Sequence, residues 1–241
     1  MREVGSRWSW LACGWIGLVV AGSVHAFEES PSVASGVRVA DGFEVTLYSD
    51  DNLASNIYSM TIDSRGRVVV AGPRYVKILH DRDGDGRAES FTTFSDVPAG
   101  GAQGLFFDGT DLLATGDGAM WRLRDTDGDG RADGQPERIL KIRAGGEHDA
   151  HAIRRGPDGW FYLLAGNGAG VTADYASLKS SPIRAPSAGT LLRLPPTLQG
   201  SEILVDGFRN AYDFAFNSPG DIFVFDSDGE RDVSLPWYRP T

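Results

Sequence analysis

The stretch SMTIDSRGRVVVAGPRYVKILHDRDGDGRAESFTTF, residues 59–94, reads as four short strands in succession. An apolar run ends in Asp63-Ser-Arg-Gly66, a tight turn in which glycine supplies the positive φ that hairpins need. A second run closes on Ala71-Gly72, a third leads into the acidic loop DRDGDGRAE, and a fourth follows it. GLFFDGTDLLATGDGAMWRLRDTDGDGRADGQPERILKI, residues 104–142, repeats that order, with Asp81 and Asp125 opening the two acidic loops 44 residues apart. A third unit is AIRRGPDGWFYLLAGN (152–167), then an insertion, then GTLLRLPPTLQGSEILVD (189–206). A fourth opens with DFAFNSPGDIFVFDSD (213–228). Alternation in WFYLL and DIFVF marks strands, and no stretch after residue 26 carries a helical stripe.

Four antiparallel strands every 40–60 residues describe a β-propeller blade. The fold class is therefore all-β, with about three and a half blades over residues 41–241. FEVTLY (43–48) is a spare strand. It is expected to belong to a closing blade outside this sequence and to pair with nothing among residues 49–110. The chain then reads as a fragment of a longer protein whose remaining blades would close the ring.

The bulk numbers agree with this. Of 241 residues, 41% are hydrophobic and 31 are glycine, a balance that suits a turn-rich globular protein. The net charge of −10, with no long basic run, argues against a nucleic-acid partner and is compatible with bound cations. Residues 1–26 have the layout of a signal peptide. MREVGSRW is net positive, SWLACGWIGLVVAG is apolar, and Val24 and Ala26 occupy the −3 and −1 places of a cleavage site. An uncleaved anchor is the alternative. Cys13, the one cysteine, falls inside this segment, so the mature chain would carry none. Residues 27–40 read as a linker, and the location expected is periplasmic or secreted.

GGEHDAH (145–151) leads into the first strand of the third unit and spends two of the four histidines of the chain. In a propeller such a lead lines the mouth of the central channel. A histidine there is either a loop hydrogen-bonder or a general base tuned by a neighbouring carboxylate. The local pattern resembles the soluble quinoprotein glucose/sorbosone dehydrogenases, six-bladed propellers that use pyrroloquinoline quinone (PQQ). Glu147 and His148 are followed by a strand and then GPDG, with Pro157 nine residues after His148. GFRN (207–210) is similar to the family's G-x-R-N, and AQGLFF (102–107) is a weaker match. A longer likeness runs over roughly residues 38–241 to the bacterial "membrane-bound dehydrogenase" proteins, through the acidic loops and the RNAYDFAFNSPGDIFVFDSD segment.

The resemblance implies oxidation of a sugar or another alcohol. His148 would take the hydroxyl proton as hydride passes to the quinone. Arg209, with Asn210, would contact the cofactor, Gln103 would lie near the substrate, and electrons would leave to a cytochrome c. Two departures stand against a simple transfer. Asn167 occupies the place of an aspartate that orients the histidine, and Ala211-Tyr212-Asp213 replaces Pro-Gln-Gly. An amide accepts a hydrogen bond but cannot stabilise an imidazolium by charge. A non-catalytic propeller, a binding or scaffold module, is the rival reading.

The acidic loops set carboxylates at alternate positions: Asp81, Asp83, Asp85 and Glu89, then Asp125, Asp127, Asp129 and Asp133. Alternating oxygens that converge on one point begin a Ca²⁺ loop. Thr92 and Pro136 stand where an EF-hand needs its closing Glu, so these are not EF-hands. They are either structural Ca²⁺ loops or metal-free Asp/Gly hairpin turns.

Overall fold

A computed structural model describes residues 37–227 apart from Arg38 and Asp41. The signal-peptide and linker assignments fall almost wholly outside these residues. The chain divides into two units, Met1–Val45 and Thr46–Thr241. In the first, the described residues form no regular element; a turn joins the Phe43 N–H to the Ala40 carbonyl at 3.1 Å.

Among its described residues the second unit is all-β apart from one 3₁₀ turn, Ala173–Tyr175. Its strands group in sequence order. β1 (Ser59–Ile62), β2 (Val68–Gly72), β3 (Tyr75–His80) and β4 (Ser90–Ser95) form one antiparallel sheet. β5 (Gly104–Asp108), β6 (Asp111–Gly116), β7 (Ala119–Arg124) and β8 (Asp133–Lys141) form the next. β9 (Ala150–Arg155), β10 (Phe161–Ala165), β11 (Gly189–Leu194) and β12 (Glu202–Phe208) form a third, and β13 (Asp213–Phe216) pairs with β14 (Ile222–Phe225). These are the blades read from the repeat.

Three of the four β1–β2-type hairpins close by the same chemistry, while at the β5–β6 turn Asp108 bonds Arg155 instead. The Asp63 carboxylate accepts the Arg65 and Arg67 N–H groups at 2.9 Å each, while Gly66 takes φ 77°. Asp158 does the same for Trp160 at 3.0 Å, and Asn217 for Gly220 and Asp221 at 3.0 and 2.7 Å. The second strand of each full sheet is buried on both faces, which is why VVVA, LLAT and FYLL are unbroken apolar or near-apolar runs. Val69, Ala71 and Ile78 pack on Leu105, Leu112 and Ala114 of the following sheet. Leu113 and Met120 meet Ile153, Phe161 and Leu163, and Tyr162, Leu164 and Leu191 meet Phe214. The two end faces of this series expose apolar side chains: Met60 and Ile62 on β1, Phe223 and Phe225 on β14.

The expected strand over 43–48 is not formed. A strand exists only where it pairs with an edge, and no described strand pairs with these residues. The recorded backbone link at its end is the Ala88 N–H to the Tyr48 carbonyl, 2.8 Å, from the first acidic loop. That bond is to a residue within 49–110, where none was expected.

The first strands of successive sheets, β1, β5, β9 and β13, lie side by side and line the inner wall. Ser59 Oγ donates to the Ala102 carbonyl at 2.7 Å, and Thr115 Oγ1 to the His151 carbonyl at 2.9 Å. Arg154 Nε donates to the Phe214 carbonyl at 2.9 Å. At Gly104 the β5–β9 approach is so close that a Cβ would stand 2.0 Å from the His151 oxygen.

Candidate functional site

The loop before β9 is shaped by its own short side chains. The Asp149 carboxylate accepts the Gly146 N–H at 2.8 Å, and the Ala150 N–H bonds the Arg143 carbonyl at 2.9 Å. This holds His148 at the start of β9, partly exposed. The segment after β10 then runs alongside it: the Gly168 N–H donates to the His148 carbonyl at 2.8 Å, and the Gly166 N–H to that of Asp149 at 2.9 Å. Gly166 makes the approach possible. A Cβ there would sit 2.6 Å from the His148 oxygen and 3.2 Å from the Arg209 oxygen.

Asn167 joins the two principal candidates. Its Oδ1 lies 2.8 Å from His148 Nδ1, and its backbone N–H donates to the Arg209 carbonyl at 2.8 Å. An amide oxygen facing the ring requires a donor at Nδ1, and in the neutral ring that tautomer leaves the lone pair on Nε2, the form a general base requires. Arg209 and Asn210 form the turn between β12 and β13. Their N–H groups both donate to the Asp226 carboxylate, at 3.0 and 2.9 Å, and Arg209 Nη1 reaches the Ser227 carbonyl at 3.2 Å. Asn210 Oδ1 is buried with no partner among the described residues.

His151 plays a different part. It is fully buried, and its Nε2 hydrogen-bonds the Glu147 carbonyl at 2.9 Å, tying the loop back on itself. Its ring stacks at 4.3 Å and 34° on Tyr212. Burial pushes its pKa below the usual histidine value, opposed by the carbonyl bond and by Asp149. Glu147 thus enters the site through its backbone. Gln103 lines a groove of about 250 Å³ with Tyr58, Ala152, Arg154 and Tyr212. His148 and Arg209 are not among the residues lining that groove; they meet beside it, at Asn167.

Sequence reasoning missed Asp226, Tyr58 and Tyr212 as parts of the site. Asp226 stands inside a quoted motif, but its bonds to residues 209–210 exist only once β13 and β14 pair.

The acidic loops repeat in three dimensions. Asp81 accepts the Gly84 and Gly86 N–H groups at 2.7 and 3.0 Å, and Asp125 those of Gly128 and Gly130 at the same distances. Oxygens of Asp81, Asp83, Asp85 and Glu89 converge within 4.8 Å, as do those of Asp125, Asp127 and Asp133. Asp129, expected in the second group, is not in it; its carboxylate accepts the Arg131 N–H at 2.8 Å. Asp85 makes the matching bond to Arg87 yet belongs to the first group, a difference nothing in the structure explains. Asp133 is fixed by the Thr126 N–H and hydroxyl at 2.7 and 2.6 Å, which hold its carboxyl below the usual carboxylate range.

The blades and inner wall define a β-propeller fold. Two solved structures share the fold. One is the PQQ-bound aldose sugar dehydrogenase of Streptomyces coelicolor, at TM-score 0.51 and 18% identity, with 70% of this chain and 55% of that one covered. The other is the PQQ domain of Coprinopsis cinerea pyranose dehydrogenase, at TM-score 0.51 and 13% identity, covering 69% and 42%. The aligned part is thus about half the length of these proteins. The model of the family described as "Domain of unknown function (DUF7133)" matches residues 30–234, and the chain belongs to that family. No curated protein matches the chain. Among the described residues, no helix is long and apolar enough to cross a membrane.

Proposed function

We propose that this chain carries the base and cofactor-contacting part of a PQQ-dependent dehydrogenase that oxidises a sugar or another alcohol. The observation that carries the reading is the 2.8 Å His148–Asn167 contact on the segment whose backbone also holds Arg209. It leaves His148 Nε2 as an acceptor for a hydroxyl proton. The residues present fit the cofactor. Arg209 is a cation suited to a polyanionic quinone, and the orphaned Asn210 Oδ1 is an acceptor suited to a donor such as a pyrrole N–H. Bound PQQ would supply the two-electron acceptor for the hydride. His148 would remove the hydroxyl proton from the substrate, and Arg209 would stabilise negative charge developing beside it. Asn167 holds the neutral ring by hydrogen bonding alone, so the imidazolium formed in the reaction lacks the carboxylate found in the resembled family.

Export through residues 1–26, electron transfer to a cytochrome c, and structural Ca²⁺ in the two acidic loops complete the proposal. The test is titration of the chain, and of any longer natural form, with PQQ and Ca²⁺. Turnover is then followed with sugars and alcohols and an artificial electron acceptor. His148→Ala should lower turnover by about 10² or more and leave PQQ binding intact. Arg209→Ala should weaken both. Equal activity of wild type and His148→Ala would favour a binding module, the reading that the missing carboxylate at position 167 supports.

A further inference from the structure

The Asp226 carboxylate, just past the end of β14, accepts both N–H groups of the Arg209–Asn210 turn. Two amides at 3.0 and 2.9 Å on the two oxygens of one carboxylate are charge-assisted hydrogen bonds, about twice as strong as neutral ones. The turn they hold presents the Arg209 carbonyl to the Asn167 N–H at 2.8 Å. The Asn167 side chain in turn meets His148 Nδ1 at 2.8 Å. Three segments separate in sequence are therefore linked in series: the end of β14, the β12–β13 turn, and the loop after β10.

We propose that Asp226 is a positioning residue for His148. It acts through the backbone of Arg209 and through Asn167, selecting the tautomer of the imidazole. The inference rests on the general-base reading of His148 only for its functional meaning; the linkage stands on the geometry alone. The physical reason is that Asn167 has one degree of freedom that matters here. Its neighbours Gly166 and Gly168 bond the Asp149 and His148 carbonyls, and its own N–H is anchored on the Arg209 carbonyl, which sets how its Oδ1 meets the ring. Asp226 accepts both N–H groups of the Arg209–Asn210 turn. Releasing that clamp lets the Asn167 segment shift, and a shift of about 0.5 Å or more takes a 2.8 Å bond out of the ordinary hydrogen-bond range. The imidazole then returns toward the Nε2–H tautomer that the free ring prefers, with its Nε2 lone pair lost.

The experiment is long-range ¹H–¹⁵N correlation NMR of the imidazole nitrogens in the labelled chain at neutral pH. Wild type should show His148 protonated on Nδ1. Asp226→Ala should shift His148 to a mixture dominated by Nε2–H, and Asp226→Asn, which keeps one acceptor oxygen, should fall between. Asp221→Ala serves as the control. It removes the carboxylate that pairs with Asn217 at 2.9 Å in the β13–β14 turn, so it loosens the same hairpin without touching residues 209–210. An unchanged His148 spectrum in a folded Asp226→Ala chain would overturn the proposal. So would an equal shift in Asp221→Ala, which would mean that hairpin stability alone is at work. PQQ titration of the same samples keeps the two readings apart: no quinone binding by wild type with the tautomer shift intact would sink the enzyme reading and leave the linkage standing.

Discussion

Replacing Gly104 by alanine tests how tightly the inner strands fix the site. An added Cβ would lie 2.0 Å from the His151 carbonyl oxygen, 2.8 Å from its carbon and 2.9 Å from Thr115 Oγ1. Two of these neighbours are backbone, so no rotamer change relieves them. β5 and β9 would have to separate by about 1 Å, since a carbon–oxygen contact is comfortable only above about 3 Å. Overpacking of this kind costs about 1–3 kcal/mol. Loss of the Thr115–His151 hydrogen bond adds about 1 kcal/mol. The expected sum is about 2–4 kcal/mol, a fall in Tm of roughly 4–16 °C for a unit of this size. Calorimetry and urea unfolding would measure it. Gly109→Ala is the comparator: φ there is 68° with nothing within 4 Å, so it pays only the backbone cost of about 1 kcal/mol. Gly104 also adjoins Gln103, and His151 follows His148 by three residues, so quinone binding or turnover should fall with stability. A Gly104→Ala chain as stable as wild type, or no less stable than Gly109→Ala, would refute the close-approach argument.

Two other outcomes follow from buried and clustered charge. The folded state lowers the pKa of His151, so the unfolded chain binds more protons between the folded value and the ordinary value of about 6.5. Stability should be full above about pH 6.5 and fall as pH drops through that window, by at most about 1.4 kcal/mol per pH unit; the Asp149 charge opposes the shift and a charged His148 adds to it. In urea unfolding between pH 5 and 7.5, His151→Gln should remove that slope, and an unaltered slope would assign it to other groups. For the acidic loops, calorimetry of chelator-treated protein should show saturable Ca²⁺ binding that Asp133→Ala weakens and Asp129→Ala spares, because only Asp133 shares the cluster with Asp125 and Asp127. No heat at millimolar Ca²⁺ would leave both loops as plain turns.

The order of strands, their grouping into blades and the turn chemistry are local properties, and they were legible in the residues. Asp63-Ser-Arg-Gly66 specifies its hairpin through its own carboxylate and its own positive φ, whatever packs nearby. The runs VVVA and FYLL announce strands buried on both faces before any partner is known. His148, Asn167 and Arg209 could be singled out because resemblance to a known propeller supplied the spacing. What joins them could not. The Asn167 N–H to Arg209 carbonyl bond, the Asp226 clamp on residues 209–210 and the Tyr212 ring against His151 all connect segments from 16 to 61 residues apart. Residues 43–48 show the converse limit. Their alternating pattern suits a strand, but strand formation requires pairing with a neighbour's edge, and no described strand pairs with them. Local sequence determines which backbone shape a segment can take; hydrogen bonds between distant segments exist only after the sheets have packed, and in this protein those bonds build the site.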